Sequence, residues 1–126
     1  MSNYRDFQLL MYVSADKFLE CIQFYESVFG EKSFYGWNSG ENDRGEKFNF
    51  AGTKIVILTQ ENPFPEYGPM HFQIEVDDIV EIYDRIASNK SVKITQKLFI
   101  RPYGWHMFRM VDPAGHHINI YQIPKK

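Results

Sequence analysis

The 126-residue chain contains a single cysteine, Cys21, so it cannot form an internal disulfide bond. This excludes a disulfide-stabilised secreted scaffold and leads us to expect a cytoplasmic protein. No apolar run approaches the roughly 18 residues of a membrane span, and residues 1–6 lack the apolar core of a secretory signal. The sequence therefore predicts a protein without a membrane partner.

An excess of basic residues is also missing. The chain has 14 Lys and Arg against 16 Asp and Glu, a net charge of −2, and the basic residues are scattered. A general nucleic-acid partner, which requires a basic surface, is therefore not expected. No glycine-rich phosphate loop, Gly-x-Ser-x-Gly elbow or Cys-x-x-Cys pair occurs, so the sequence offers no nucleophile for a hydrolase.

Aromatic residues, in contrast, make up 17% of the chain. With 44% hydrophobic and 24% charged residues, the composition is that of a folded domain. A chain of this length can bury about two-thirds of its unfolded surface. Some aromatic residues serve the core, but their number exceeds what such a core requires. We therefore expect the remainder to line a binding site.

The first half of the chain has the pattern of a βαβββ module. An apolar run at 7–13 predicts a buried strand, and Asp16 is a plausible N-cap for a helix that ends at Gly30. The apolar stripe of this helix consists of Phe18, Ile22, Tyr25 and Phe29. Strands are predicted at 32–37, 44–50 and 53–59.

The second half repeats this order. A strand is predicted at 70–76, a helix begins after Asp78, and three strands follow at 93–100, 105–111 and 117–123. Residues 112–115 (DPAG) fit a type I turn. Three prolines within 62–69 indicate a linker, so the modules are 1–61 and 70–126 of one domain. The repeat offset is 63 residues, which indicates an α+β pseudo-twofold pair.

Three stretches resemble the vicinal oxygen chelate superfamily, which contains glyoxalases, bleomycin-resistance proteins and extradiol dioxygenases. They are Val13-Ser14 followed by Phe24-Tyr25 and Phe29-Gly30; His71 at the start of the fifth strand; and residues 112–120 (DPAGHHINI). The resemblance implies two tandem βαβββ modules that form U-shaped mixed sheets around a cleft. It also implies a homodimer.

In metal-dependent members of this superfamily, strands one, four, five and eight supply His or Gln, Glu, His and Glu as ligands. The matching positions here are Gln8 or Leu10, then Ile57, His71 and Asn119. Both carboxylates are missing from this set, although carboxylate oxygen and His nitrogen are the ligands that such metals prefer. We therefore expect no catalytic metal cofactor; if a divalent metal binds, its ligands would be Gln8 and His71.

Strand alternation predicts which side chains share a face with His71 and Asn119. We expect Gln73, Glu75, Trp105, Met107, Arg109, His117 and Tyr121 to line the cleft with them, and Gln8, Ile55 and Ile57 to join from the first half. Arg109 and Glu75 would form either a structural ion pair or, through Arg109, a site for a ligand anion. His71 is a candidate general base, since imidazole titrates near neutrality. Cys21, His106 and His116 are expected to be structural.

These observations favour a binding protein of the bleomycin-resistance type. It would hold a hydrophobic or aromatic, anionic small molecule in an aromatic cleft without a catalytic metal. The alternative is a metal-dependent glyoxalase-like lyase or isomerase, or a dioxygenase. A third interpretation is a protein-interaction domain that has kept the fold and lost the cleft.

Overall fold

A computed structural model describes residues 3–59 and 68–124. These residues divide into two compact units, one in each half of the chain. Each unit contains one helix and a four-stranded sheet, and the order of elements is βαβββ in both. The predicted α+β class and tandem repeat are therefore confirmed. Most of the predicted linker, together with Gln60 and Glu61, lies outside the described residues.

The first unit contains strand β1 (Gln8–Tyr12), helix α1 (Phe18–Phe29) and strands β2 (Tyr35–Asn38), β3 (Arg44–Phe50) and β4 (Thr53–Leu58). Its sheet has the order β1-β4-β3-β2, in which β1 and β4 are parallel and the other pairs are antiparallel. The chain therefore places its last strand of the unit in the interior of the sheet.

Helix α1 begins one residue later than the sequence predicts. Residues Ala15–Lys17 form a short 3₁₀ helix, and the Asp16 carboxylate accepts a hydrogen bond from Ser14 Oγ at 2.5 Å instead of capping α1. The predicted end is confirmed, because Gly30 adopts a left-handed conformation with φ of 69° and its N–H donates to Glu26 O.

Aromatic rings form the core of the first unit between α1 and its sheet. Tyr25 is fully buried and stacks with Phe29 and Phe50, while its hydroxyl contacts Met11 Sδ. Phe24 and Phe48 complete this cluster. Cys21 is buried on the same helix, as predicted. Much of the aromatic content of the first half is therefore core packing, including the two strand residues Phe48 and Phe50.

The second unit contains strand β5 (His71–Glu75), helix α2 (Ile79–Ala87) and strands β6 (Lys93–Ile100), β7 (His106–Val111) and β8 (His117–Gln122). Its sheet order, β5-β8-β7-β6, repeats that of the first unit. Asp78 caps α2 as predicted, with its Oδ1 accepting from Glu81 N–H at 3.2 Å. No helix in the described part of the chain is long and apolar enough to cross a membrane.

The turn between β7 and β8 fixes how these two strands align. Gly115 N–H donates to Asp112 O, as a type I turn requires, and Asp112 Oδ1 accepts from the N–H groups of Ala114 and His116 at 2.9 Å each. Asp112 is buried. This small network sets the register in which Arg109 lies opposite Asn119 and Met107 lies opposite Tyr121.

Candidate functional site

Each sheet has one face that packs on its helix and one face that does not. In the second unit, Phe108 contacts Tyr83 of α2 edge-on at 5.0 Å, and Ile79 N–H donates to Gln122 Oε1 at 2.8 Å. The opposite face, which we call the His71 face, follows from the strand register. It presents His71, Gln73, Glu75, Met107, Arg109, His117, Asn119 and Tyr121. The predicted alternation in this half is thus confirmed.

Arg109 lies in the middle of the His71 face. Its Nε–H donates to Asn119 Oδ1 at 2.7 Å across the antiparallel β7–β8 pair. The predicted Arg109–Glu75 ion pair is wrong: no such contact lies within 4.0 Å in the described ranges 3–59 and 68–124. Strand β8 separates β5 from β7, so their backbones lie about 10 Å apart, and Asn119 takes the nearer position.

An aromatic platform lies beside this arginine. The rings of Trp105 and Tyr121 stack with centroids 4.8 Å apart and planes at 10°, and Tyr103 meets Trp105 edge-on at 5.3 Å. Trp105 precedes β7 rather than opening it, contrary to the predicted strand start. Tyr121 and Asn119 are two residues apart on one strand, so the Cα atom of Tyr121 lies about 7 Å along the strand from that of Asn119, which is opposite Arg109.

Two imidazoles lie at the other end of the His71 face. His71 and His117 are opposed on the parallel β5–β8 pair, and their ring centroids are 4.4 Å apart. Sequence reasoning placed His117 on this face but gave it no role. Its position beside His71 depends on the parallel pairing of β5 with β8, which has no local sequence signal.

The first sheet divides differently from the prediction. In β1, Gln8 is paired with Lys54 and Leu10 with Val56, whereas Met11 is paired with Ile57. Met11 contacts Tyr25 of α1, so Ile57 and Ile55 face the helix. The expectation that they share a face with Gln8 is therefore wrong; Val56 takes that place. Gln8 itself donates through Nε2 to Asp6 Oδ2 at 2.8 Å.

The donor set does not fit the metal centre that the resemblance implies. On β4, the residue that shares a sheet face with Gln8 is Val56, which has an alkyl side chain. On β8, the corresponding residue is Asn119, whose side chain is neutral. No group of three His, Cys, Asp or Glu side chains in the described ranges is arranged to hold a metal ion. Carboxylate ligands are thus missing from both positions at which the family supplies them.

Two further titratable side chains, His116 and Asp6, form hydrogen bonds outside the His71 face. His116 is buried, and its Nδ1 accepts from Met70 N–H at 2.9 Å, while its Nε2 has no partner within the described residues. It was expected to be fully satisfied, and only one of its nitrogens is. Asp6 accepts from Lys54 Nζ at 2.9 Å and from Gln8, and the Lys54 hydrogen bond lowers the pKa of Asp6 to about 2.

Comparison with known proteins agrees with this architecture. The family model of the Glyoxalase/Bleomycin resistance protein/Dioxygenase superfamily matches residues 13–120. A comparison with curated proteins found no match. Among solved structures, lactoylglutathione lyase from Agrobacterium tumefaciens is similar with a TM-score of 0.71 and 17% identity, covering 96% of this chain and 95% of that chain.

Two other solved structures are comparably similar. TioX from Micromonospora sp. ML1 has a TM-score of 0.70 and 15% identity, covering 93% of this chain and 98% of that chain. A glyoxalase/bleomycin resistance protein/dioxygenase from Alicyclobacillus acidocaldarius has a TM-score of 0.70 and 19% identity, covering 99% and 96%. At these sequence identities, the structural similarity establishes a shared fold and no more.

Proposed function

The chain belongs to the glyoxalase/bleomycin resistance protein/dioxygenase superfamily, and on this premise we propose that it binds an aromatic, anionic small molecule on the His71 face without a catalytic metal. The proposal rests on the contacts of the Arg109 guanidinium. Asn119 fixes its guanidinium through Nε, yet no carboxylate in the described residues pairs with it. Its two terminal nitrogens can therefore bind a ligand carboxylate or phenolate in bidentate fashion.

The aromatic platform supports the proposal that the ligand is aromatic. A flat ring that stacks on Trp105 and Tyr121 would lie two strand positions from Asn119, the residue that holds Arg109, so one aryl carboxylate can contact both the platform and the guanidinium. Glu75 is exposed on the same face and is separated from Arg109 by strand β8. Gln73 lies beside Asn119 and offers an amide for a second hydrogen bond.

The absence of a catalytic metal is supported by the chemistry of the donors. His71 and His117 can each bind a metal ion, but neither Asn119 nor Val56 can supply the carboxylate that would offset its charge. His71 then serves as a hydrogen-bonding group or as a general base for a bound ligand. A lyase or dioxygenase mechanism, which requires a Lewis-acid metal, finds no matching ligand set among the residues that the structure describes.

Quenching of Trp105 by 4-nitrobenzoate tests the ligand proposal. The Trp37→Phe variant leaves Trp105 as the only tryptophan, and the uncharged 4-nitrobenzyl alcohol reports ring stacking alone. Arg109→Gln should weaken 4-nitrobenzoate binding about tenfold or more, because a charge-assisted bidentate contact contributes about 1.5–3 kcal/mol. It should leave the alcohol unaffected. Arg85→Gln, on α2, is the matched control for loss of one positive charge.

Asn119→Asp provides an independent check. A carboxylate at this position would pair with Arg109 within the protein and compete with the ligand anion, so 4-nitrobenzoate should again bind more weakly. Equal binding by wild type, Arg109→Gln and Asn119→Asp would refute the proposal. A stoichiometric transition metal that remains after purification and is lost in His71→Ala would refute the metal-free part of it.

A homodimer in the cytoplasm is part of the same proposal. Strand β1 is an edge strand of its sheet, and Tyr4 and Phe7, just before it, expose 88% and 75% of their surface. Such exposed aromatic residues beside an unpaired edge are typical of an interface. Light scattering on the purified protein measures this directly, and a monomer mass of 14.9 kDa at all concentrations would refute it.

A further inference from the structure

A pocket of about 290 Å³ lies within the first unit, on elements that the proposed function does not use. Its walls include Phe18 at the start of α1, Trp37 and Asn38 of β2, and Arg44 and Glu46 of β3. Asn38 and Arg44 are directly opposed on the antiparallel β2–β3 pair. Arg44 and Glu46 share a strand face with Phe48, which packs against α1, so these groups lie on the helix side of the sheet.

Arg44 is the cation of this pocket. Its guanidinium carbon lies 4.5 Å from the centre of the buried Phe18 ring, and its Nε is buried without a hydrogen-bond partner in the described ranges. No Asp or Glu carboxylate of those ranges lies within 4.0 Å of it. Its two terminal nitrogens form a planar fork of N–H donors. A positive charge that lies on an aromatic ring and has no carboxylate partner in the described ranges is well suited to bind an anion.

Asn38 adds a second donor at the same place. Its Oδ1 accepts from Gly40 N–H at 3.1 Å, which leaves the Nδ2 amide group to donate. Side chains opposed on antiparallel strands have Cβ atoms about 5 Å apart, so Asn38 and Arg44 can reach the same small anion.

Glu46 restricts the charge of that anion. Its Oε1 accepts from Ser33 Oγ at 2.6 Å, so its carboxylate is fixed in the pocket wall two residues from Arg44. A second negative charge on the ligand would be repelled by it. The Phe18 ring lies beneath the Arg44 guanidinium, and the volume of the pocket is near the lower limit for small-molecule sites.

From this arrangement we propose that the Arg44 pocket is a second binding site, specific for a small monocarboxylate. The carboxylate binds the terminal nitrogens of Arg44 and the Asn38 amide. Glu46 selects against dicarboxylates and phosphate. All residues of this site belong to the first unit, whereas the His71 face belongs to the second.

Trp37 borders the pocket, and its indole, which covers Gly45 on the opposite face of the sheet, reports occupancy from there. In Trp105→Phe, Trp37 is the only tryptophan, so quenching by 4-nitrobenzoate measures this pocket and not the His71 face. We expect saturable quenching by 4-nitrobenzoate, at least tenfold weaker binding of 4-nitrobenzyl alcohol, and at least tenfold weaker binding of 4-nitrophthalate. Non-saturable quenching, or equal binding of the acid and the alcohol, would overturn the proposal.

Three variants in the Trp105→Phe background assign the interaction. Arg44→Gln should weaken 4-nitrobenzoate binding at least tenfold, and Arg44→Lys, which keeps the charge and loses the planar fork, should be intermediate. Glu46→Gln keeps the acceptor for Ser33 and should narrow the difference between 4-nitrobenzoate and 4-nitrophthalate. Arg101→Gln is the matched control, since Arg101 also lies over aromatic rings, at 5.6 Å from Phe99, but belongs to the second unit.

Circular dichroism and thermal melting must show that each variant is folded. If Arg44→Gln does not fold, Arg44→Lys and Glu46→Gln still decide the question. Unchanged acid binding in a folded Arg44 variant, or equal loss of binding in Arg101→Gln, would overturn the assignment. Because the His71 face is measured separately in Trp37→Phe, failure of one site leaves the result for the other intact.

Discussion

Replacement of Gly45 by Ala should reveal how tightly Trp37 covers the first sheet. A Cβ at position 45 would lie 2.3 Å from Trp37 Cη2 and 2.7 Å from Cζ2 and Cζ3. Ordinary contact begins at 3.4 Å, so the indole must move by about 1.1 Å. Overpacking of this kind costs about 1–3 kcal/mol.

Two smaller effects modify this cost. Trp37 Nε1–H donates to Asp43 Oδ1 at 3.1 Å, and displacement of the ring weakens this exposed bond by about 0.5 kcal/mol. In the other direction, Ala is favoured over Gly within a strand by about 0.5–1 kcal/mol. We therefore expect Gly45→Ala to lower the free energy of unfolding by about 1–2 kcal/mol, measured by urea denaturation, and to shift Trp37 emission.

A double-mutant cycle with Trp37→Ala tests whether the indole causes the destabilisation. Without the indole, the three atoms nearest to the new Cβ are gone, so Gly45→Ala should raise the free energy of unfolding by about 0.5–1 kcal/mol. The effect of the same substitution thus changes sign between the two backgrounds. Gly45→Ala that stabilises the chain while Trp37 is present, with unchanged emission, would refute the reasoning.

Two further predictions concern other local networks. Asp112→Ala should lower the free energy of unfolding by about 2–4 kcal/mol in urea denaturation, because two backbone N–H groups lose their acceptor. Asp112→Asn keeps Oδ1 and should lower it by about 1 kcal/mol. Equal losses in the two variants would contradict this explanation. The lowered pKa of Asp6, about 2, stabilises the fold above its ordinary value of 3.8, and this stabilisation is lost as the pH falls toward 2. The stability difference between wild type and Asp6→Asn should therefore be constant above pH 5 and shrink between pH 4 and 2, and a constant difference would exclude the Lys54 contact.

The sequence was most informative where a local signal fixed the register. The turn at Asp112 joins β7 to β8, so the alternation that places Met107, Arg109, Asn119 and Tyr121 on one face could be read from the sequence alone. Helix α2 was equally well marked, because Asp78 and Glu81 have capping spacing and their hydrogen bond is present.

The errors occur where pairing joins distant segments. Residues 55–57 are Ile-Val-Ile and all are buried, so they carry no alternation, and only the parallel pairing with β1 shows that Ile57 faces α1. The Arg109–Glu75 pair was wrong for a related reason, since the sequence does not show that β8 lies between β5 and β7. The Arg44 pocket was missed because residues 44 and 18 are brought together only by packing of α1 on the sheet.

The shared sheet order has a consequence for synthesis of the chain. In each unit the strand that comes last in the sequence, β4 or β8, is an interior strand of its sheet, and the strand that comes first pairs with it alone. A nascent chain that has exposed only the first three strands of a unit therefore has no partner for β1 or β5. We expect neither four-stranded sheet to be complete until its final strand has left the ribosome. Until then, the first strand of the unit remains unpaired.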